Sequence, residues 1–141
     1  MTGEESRHIL IAHRMEQAEE SLSDATLLLE GKRYRASVNR SYYAMFYAVL
    51  ALLIAKGLGT SKHSGAIALF DREYVRNGIF ARDLSKWLHT TFLERQKADY
   101  DDLSQVDGEQ AETAVRHANT FVAQVRSHLQ ESAAFVPHSQ P

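Results

Sequence analysis

Arg82 and His89 are two residues of this sequence whose side chains are suited to phosphate chemistry. Arg82 is followed by the polar Asp83 and, after six intervening residues, by His89. An arginine can hold a phosphate and offset charge that builds in a transition state, and a histidine can transfer a proton near neutral pH. The segment has a helical pattern, in which seven residues separate two Cα atoms by about 10 Å along the axis. Arg82 and His89 are therefore expected to share a helix face without easily sharing one phosphate.

A second arginine, Arg95, begins the segment RQKADY, which ends at Tyr100. The phenol of a tyrosine titrates near pH 10 in model peptides, about three units too high for efficient proton transfer at neutral pH. Arg95 and Tyr100 are therefore expected to bind a phosphate or a base rather than to move its protons. The alternative for Arg95 is an ion pair with Asp99 at the i+4 position, which contributes a few tenths of a kcal/mol if it is exposed.

An arginine and two tyrosines form a third candidate site. Arg40, Tyr43 and Tyr47 follow one another at spacings of three and four residues, which places them on one helix face. Such a face could hold a nucleotide or an RNA base by stacking. The alternative is a packing face with polar tips at the edge of a bundle. Three further cations precede it, and they indicate either a solvated turn or a phosphate-contacting patch: Lys32, Arg33 and Arg35.

Composition excludes several kinds of site. The sequence has no cysteine, which rules out disulfides and thiolate-bound zinc. None of the seven histidines has a histidine partner three or four residues away with a carboxylate, as a helical metal site requires, so we expect no metal and no cofactor. The formal net charge of −2 gives the whole protein little attraction for nucleic acid, so any such contact depends on a local patch.

Membrane insertion is not expected. The first eight residues, MTGEESRH, contain no apolar stretch like that of a signal peptide. The longest uncharged run is SYYAMFYAVLALLIA, residues 41–55, which is too short to span a bilayer and favours a buried helix. We therefore expect a cytoplasmic protein that makes no contact with a membrane.

Apolar residues recur at helical spacing along the chain and predict an antiparallel all-α bundle of four or five helices. One domain is expected over residues 1–135, followed by a flexible tail over 136–141. The predicted helices cover residues 4–30, 34–56 and 61–76, with a fourth from about 81 and a fifth after 107. Gly31 is expected to end the first helix in the left-handed conformation, and Ser61 to cap the third. Asp107, with Gln110 three residues later, has the spacing of a capping box.

Three blocks of sequence carry a resemblance to a known family. They are RYRASVNRSYYAMFYAVLALL, SKHSGAIALFDREYVRNG and LERQKADYDD, which together cover about residues 32–102. In order and spacing they resemble the HEPN superfamily, in particular a branch of short stand-alone proteins. The resemblance implies a four- or five-helix bundle, commonly a homodimer. Many relatives are paired with a minimal nucleotidyltransferase as toxin and antitoxin. Active relatives are metal-independent ribonucleases, whose site lies in a cleft between protomers.

The ribonuclease motif of that family is an arginine and a histidine separated by four to six positions, of which the first is usually polar. Arg82 and His89 fit it literally, but they lie early in the fourth helix. Arg95 fits its location better, at the end of that helix, and there Tyr100 stands in place of the histidine. Some relatives carry a tyrosine two places further, to which the partner enzyme attaches nucleotides. Asp102 occupies that place in this chain.

The sequence therefore predicts a HEPN-type binding and interaction module. We expect it to form a homodimer and to act with a small nucleotidyltransferase or on a nucleotide or RNA, without efficient cleavage. A ribonuclease is the alternative, using either Arg82 with His89 or Arg95 with a histidine from elsewhere. A purely structural helical adaptor is the second alternative.

Overall fold

A computed structural model describes residues 2–100 and 105–132 of the protein. The described part folds into five α-helices, and a π-helical segment, Asp71–Val75, continues the third of them. The all-α bundle predicted from the sequence is thus confirmed. The helices are α1 Gly3–Glu30, α2 Tyr34–Ala55, α3 His63–Phe70, α4 Arg82–Tyr100 and α5 Gly108–Glu131. The predicted tail at residues 136–141 lies outside the described residues.

Helix α2 is the centre of the bundle and packs against α1, α3, α4 and α5. Most of its central residues are buried, and the half-buried ones, Tyr43, Tyr47 and Leu50, lie on one face of the helix. Among the described helices it alone is long and apolar enough to cross a membrane, yet most of that stretch is covered by its neighbours. These contacts are those of a core helix.

The first helix ends differently from the prediction. Gly31 has a φ of −82°, and the left-handed conformation falls instead on Lys32, with a φ of 61°. The Arg33 amide donates to the carbonyl oxygen of Leu28 at 2.8 Å, which is the long hydrogen bond of a Schellman turn. That turn requires its positive φ one position after the cap residue, and this position is occupied by a lysine.

The third helix also begins and ends differently. Its N-cap residue is Lys62 rather than Ser61, and no side chain caps its first turn. Its regular part stops at Phe70. In the π-helical segment that follows, the Arg76 amide donates to the carbonyl oxygen of Asp71, five residues earlier. The fifth helix begins as predicted, since Asp107 and Gln110 form a reciprocal capping box.

Candidate functional site

Arg95 projects from α4 onto the aromatic face of α2. Its guanidinium carbon lies 5.3 Å from the ring centroid of Tyr42 and 5.3 Å from that of Tyr43. Its Nε donates to the Asp99 carboxylate at 3.3 Å, so the ion pair considered from the sequence is present. Only 17% of the Arg95 side chain is exposed. Two rings and one carboxylate therefore fix the guanidinium in a largely dry position, where its charge acts strongly on nearby groups.

His63, at the start of α3, reaches the same cluster. Its Nδ1 lies 2.8 Å from the Tyr42 hydroxyl oxygen, and its ring stacks on Phe46 with 4.1 Å between centroids. Sequence reasoning did not select His63, because it lies far from Arg95 along the chain and belongs to another helix. The available signal was its place in the first turn of a short helix directly after a glycine-containing loop. Tyr42 thus contacts both Arg95 and His63 and links them in one cluster.

Charge and burial set the protonation of this cluster. Burial lowers the pKa of His63 below its usual value, and the positive charge of Arg95 lowers it further. Burial also raises the pKa of Tyr42, against the opposing effect of Arg95. At neutral pH the site therefore contains a neutral imidazole, an intact phenol and a permanent guanidinium cation.

A groove of about 490 Å³ lies between the start of α3 and the end of α4, and Arg95 and His63 both line it. Lys62 adds a second cation, and the uncapped first turn of α3 adds the positive end of a helix dipole. Within residues 2–100 and 105–132, no three histidine, aspartate or glutamate side chains converge in the manner of a metal site. The groove is lined by Ser61, Lys62, His63, Ser64, Phe92, Arg95 and Gln96.

The face of Arg40, Tyr43 and Tyr47 continues this surface along α2. The Arg40 guanidinium carbon lies 4.8 Å from the ring centroid of Tyr43, and the Tyr43 and Tyr47 centroids are 5.9 Å apart. Arg40 also donates two hydrogen bonds to the Asn39 side-chain oxygen. Because Tyr43 contacts both Arg40 and Arg95, the two candidate sites form one continuous half-exposed strip of arginines and aromatic rings.

The pair Arg82 and His89 has a different environment. His89 Nε2 lies 2.7 Å from one carboxylate oxygen of Asp71, and Ser85 donates to the other oxygen at 2.6 Å. Both Arg82 and His89 are exposed on α4, away from the groove lined by Arg95. His89 is therefore oriented by an acidic partner in the π-helical segment.

Tyr100 also lies apart from the cluster around Arg95. It is the last residue of α4 and 83% of it is exposed. None of the ring contacts found in the described part of the chain involves Tyr100, and Asp102 lies outside the described residues. In this structure the arginine of the segment is thus associated with His63 and Tyr42.

A larger cleft, of about 560 Å³, opens between α4 and α5. The Trp87 ring stacks on His117 at 4.4 Å, and the carboxylates of Glu94 and Asp107 line the same cleft. Burial and the neighbouring Asp107 raise the pKa of Glu94. These acidic groups repel anions, so a phosphate is better accommodated by the groove at Arg95 in spite of the smaller volume of that groove.

The fold and the site together define a class of protein. It is a helical bundle in which an arginine near the end of one helix packs against aromatic rings of the central apolar helix. The family model of the HEPN domain matches residues 11–128, and the chain belongs to that family. It is 39% identical over 122 residues to a "UPF0332 protein" of Thermotoga maritima, covering 86% of this chain and 92% of the relative. It is 37% identical over 117 residues to a "Putative toxin" of Methanocaldococcus jannaschii, covering 83% and 87% respectively. A second "Putative toxin" of that organism is 32% identical over 115 residues, covering 82% of this chain and 78% of the relative.

Proposed function

We propose that this HEPN protein binds the phosphates of a nucleotide or of single-stranded RNA in the groove between α3 and α4. The observation that carries the proposal is that Arg95 and His63, from two helices, meet through Tyr42 on one groove. Arginine donates in a planar fork that matches phosphate oxygens, and its prior fixation by two rings reduces the entropy lost on binding.

The adjoining strip supports binding of the bases. Tyr43 and Tyr47 are half-exposed, and Arg40 lies over one face of Tyr43. Bases of a single strand stack on such aromatic rings with little dependence on sequence, while the arginines follow the backbone. The strip therefore favours a single strand over a duplex, and it accounts for a basic local patch on a protein of net charge −2.

The test compares two arginines of α4 by fluorescence anisotropy with a labelled RNA of about 12 nucleotides. Arg95→Ala is expected to lower affinity by about tenfold or more, because a hydrogen-bonded charge contact is worth about 1.5–3 kcal/mol. Arg82→Ala, at an exposed site outside the groove, is the matched control and is expected to change affinity by less than about twofold. Competition with unlabelled ATP distinguishes a nucleotide site from one that needs a longer strand.

A thermal melt of each variant accompanies the titration, because Arg95→Ala also removes two ring contacts. Arg95→Lys keeps the positive charge but loses the fork, so it is expected to bind with intermediate affinity. Equal affinity of the wild type and a folded Arg95→Ala protein would refute the proposal.

Ribonuclease activity is the second candidate function, and the position of His63 beside Arg95 is what favours it. The sequence predicts a poor ribonuclease because Tyr100 replaces the histidine of the motif, but α3 brings another histidine to that arginine. Incubating the same RNA with the protein in EDTA decides the matter. Cleavage that disappears in His63→Ala and persists in His89→Ala would establish this second function.

The proposal also includes the assembly expected from the sequence, a homodimer that acts with a small nucleotidyltransferase. Support comes from two relatives that are named as toxins. Further support is the exposed face of α4 beside the groove, where Leu93 is 62% and Tyr100 is 83% exposed. A cytoplasmic location is part of the same proposal.

A further inference from the structure

The hydroxyl group of Tyr42 has a restricted choice of partners. Tyr42 is fully buried, so its hydroxyl proton must find an acceptor within the protein. Arg95, on one side, carries donors only. The acceptor that the described residues provide is His63 Nδ1, at 2.8 Å. The proton of this hydrogen bond therefore belongs to Tyr42, and Nδ1 accepts it.

This direction determines where the neutral imidazole carries its own proton. A ring whose Nδ1 accepts a hydrogen bond has its hydrogen on Nε2, and Nε2 is the nitrogen left for a ligand in the groove that His63 lines. We infer that Tyr42 is a positioning residue that holds His63 in the Nε2–H tautomer and so makes His63 a fixed hydrogen-bond donor to a phosphate oxygen. The inference rests on the proposed function, whose ligand it specifies more narrowly.

The surroundings of His63 favour this neutral donor state. The groups that face it are Tyr42, Tyr43 and Phe46 from α2 and Arg95 from α4, with Lys62 next to it in the chain. The charged groups among them, Arg95 and Lys62, are both positive and oppose an additional positive charge on the imidazole. Burial lowers the pKa of His63 in the same direction.

The consequence is a groove whose charged and imidazole groups all act as donors. Arg95, Lys62 and the Nε2–H of His63 all donate, and ionised phosphate oxygens only accept. An Nε2 that already carries hydrogen cannot take the proton of a ribose 2′-hydroxyl. For Nε2 to become an acceptor, the ring proton must move to Nδ1. The buried hydroxyl of Tyr42 then loses its hydrogen-bond acceptor. The groove is thus built to bind an ionised phosphate ester without cleaving it.

Two amide substitutions test which ring nitrogen matters. The side-chain amide of glutamine in His63→Gln reaches the position of Nε2, whereas that of asparagine in His63→Asn reaches only the position of Nδ1. With the same 12-nucleotide RNA probe, His63→Gln is expected to stay within about threefold of wild-type affinity. His63→Asn is expected to lose about tenfold, since it lacks the donor in the groove.

A ¹⁵N NMR spectrum of the imidazole nitrogens of the wild-type protein at pH 7.5 gives the second measurement. An unprotonated Nδ1 and a protonated Nε2 are expected for His63, and Tyr42→Phe is expected to convert this pattern into a mixture of tautomers. A protonated Nδ1 in the wild type, or equal affinity of the wild type and a folded His63→Asn protein, would overturn the inference. If binding depends on Arg95 and yet His63→Asn binds normally, the proposed function survives and this inference alone fails.

RNA cleavage gives a separate outcome. Cleavage by the wild type that is lost equally in His63→Gln and His63→Asn would mean that Nε2 accepts protons, and this would also overturn the inference. Phosphate binding in the groove would then stand together with a catalytic His63.

Discussion

Arg95 contributes a positive charge where little water reaches it, and this single residue determines much of the chemistry of its neighbours. Its guanidinium lies against Tyr42 and Tyr43, and its charge lowers the pKa of His63. A fixed cation beside a neutral imidazole and an intact phenol favours binding of an anion over transfer of a proton. This residue chemistry supports the proposed binding of phosphate, and it adds His63, which was not among the candidate residues selected from the sequence.

The lowered pKa of His63 predicts a pH dependence of stability. Because the folded pKa lies below the unfolded value near 6.5, the unfolded chain binds more protons as the pH falls through that value. The contribution of His63 is therefore complete above about pH 6.5 and is lost between that pH and the lower folded pKa. Urea melts at pH 7.5 and 5.5 are expected to show a larger loss on acidification for the wild type than for His63→Gln.

The comparison with His63→Gln is needed because His117 also has a lowered pKa, caused by burial and then by Arg116. His117 remains in both proteins, so its effect cancels in the difference between the two proteins. An equal loss of stability in the wild type and the variant would show that burial does not lower the pKa of His63.

At the scale of elements, helix type and approximate bounds were predictable, because apolar spacing follows directly from helix geometry. The capping box at Asp107 was predictable for the same local reason. The left-handed conformation of Lys32 and the N-cap position of Lys62 could not be predicted. Both depend on backbone hydrogen bonds in turns, which the spacing of side chains in the sequence does not reveal. The start of α3 matters most among these, because it leaves the helix without a side-chain cap and places His63 in the first turn.

The candidate site was predictable only in part, for a related reason. The strip of Arg40, Tyr43 and Tyr47 lies on one helix, so spacing alone placed these residues on one face. The meeting of His63 with Arg95 requires α3 and α4 to pack on the same part of α2, around Tyr42. That juxtaposition is tertiary, and residue spacing within one helix cannot reveal it.

At the scale of the whole molecule, α4 rather than α2 offers the exposed apolar surface for a dimer contact. The homodimer was expected from the resemblance to the HEPN family, and the most apolar helix, α2, is mostly buried within one chain. The exposed apolar side chains nearest the groove are instead on α4, where Leu93 and Tyr100 are seven residues apart on one helix face. A homodimer formed through this face would bring two grooves close to each other.

A substitution on α4 tests this assembly. Light scattering at about 50 μM is expected to give the wild type a mass near twice the chain mass of 15.9 kDa, and Leu93→Asp the mass of one chain. A charge placed in an apolar contact is strongly unfavourable there and tolerated on an open surface. Leu27→Asp is the matched control, because Leu27 is 66% exposed on α1, and it is expected to remain dimeric.

The same variants connect assembly with binding. Two neighbouring grooves can hold one RNA strand together, and the second contact is then made at a high effective concentration. Leu93→Asp is therefore expected to weaken binding of a strand long enough to reach both grooves, while binding of a single nucleotide such as ATP stays unchanged. A wild type that scatters as a monomer would remove the dimer from the proposal. The wild type could instead be a dimer while Leu93→Asp weakens ATP and RNA binding equally. That result would show that α4 shapes each groove rather than joining two grooves.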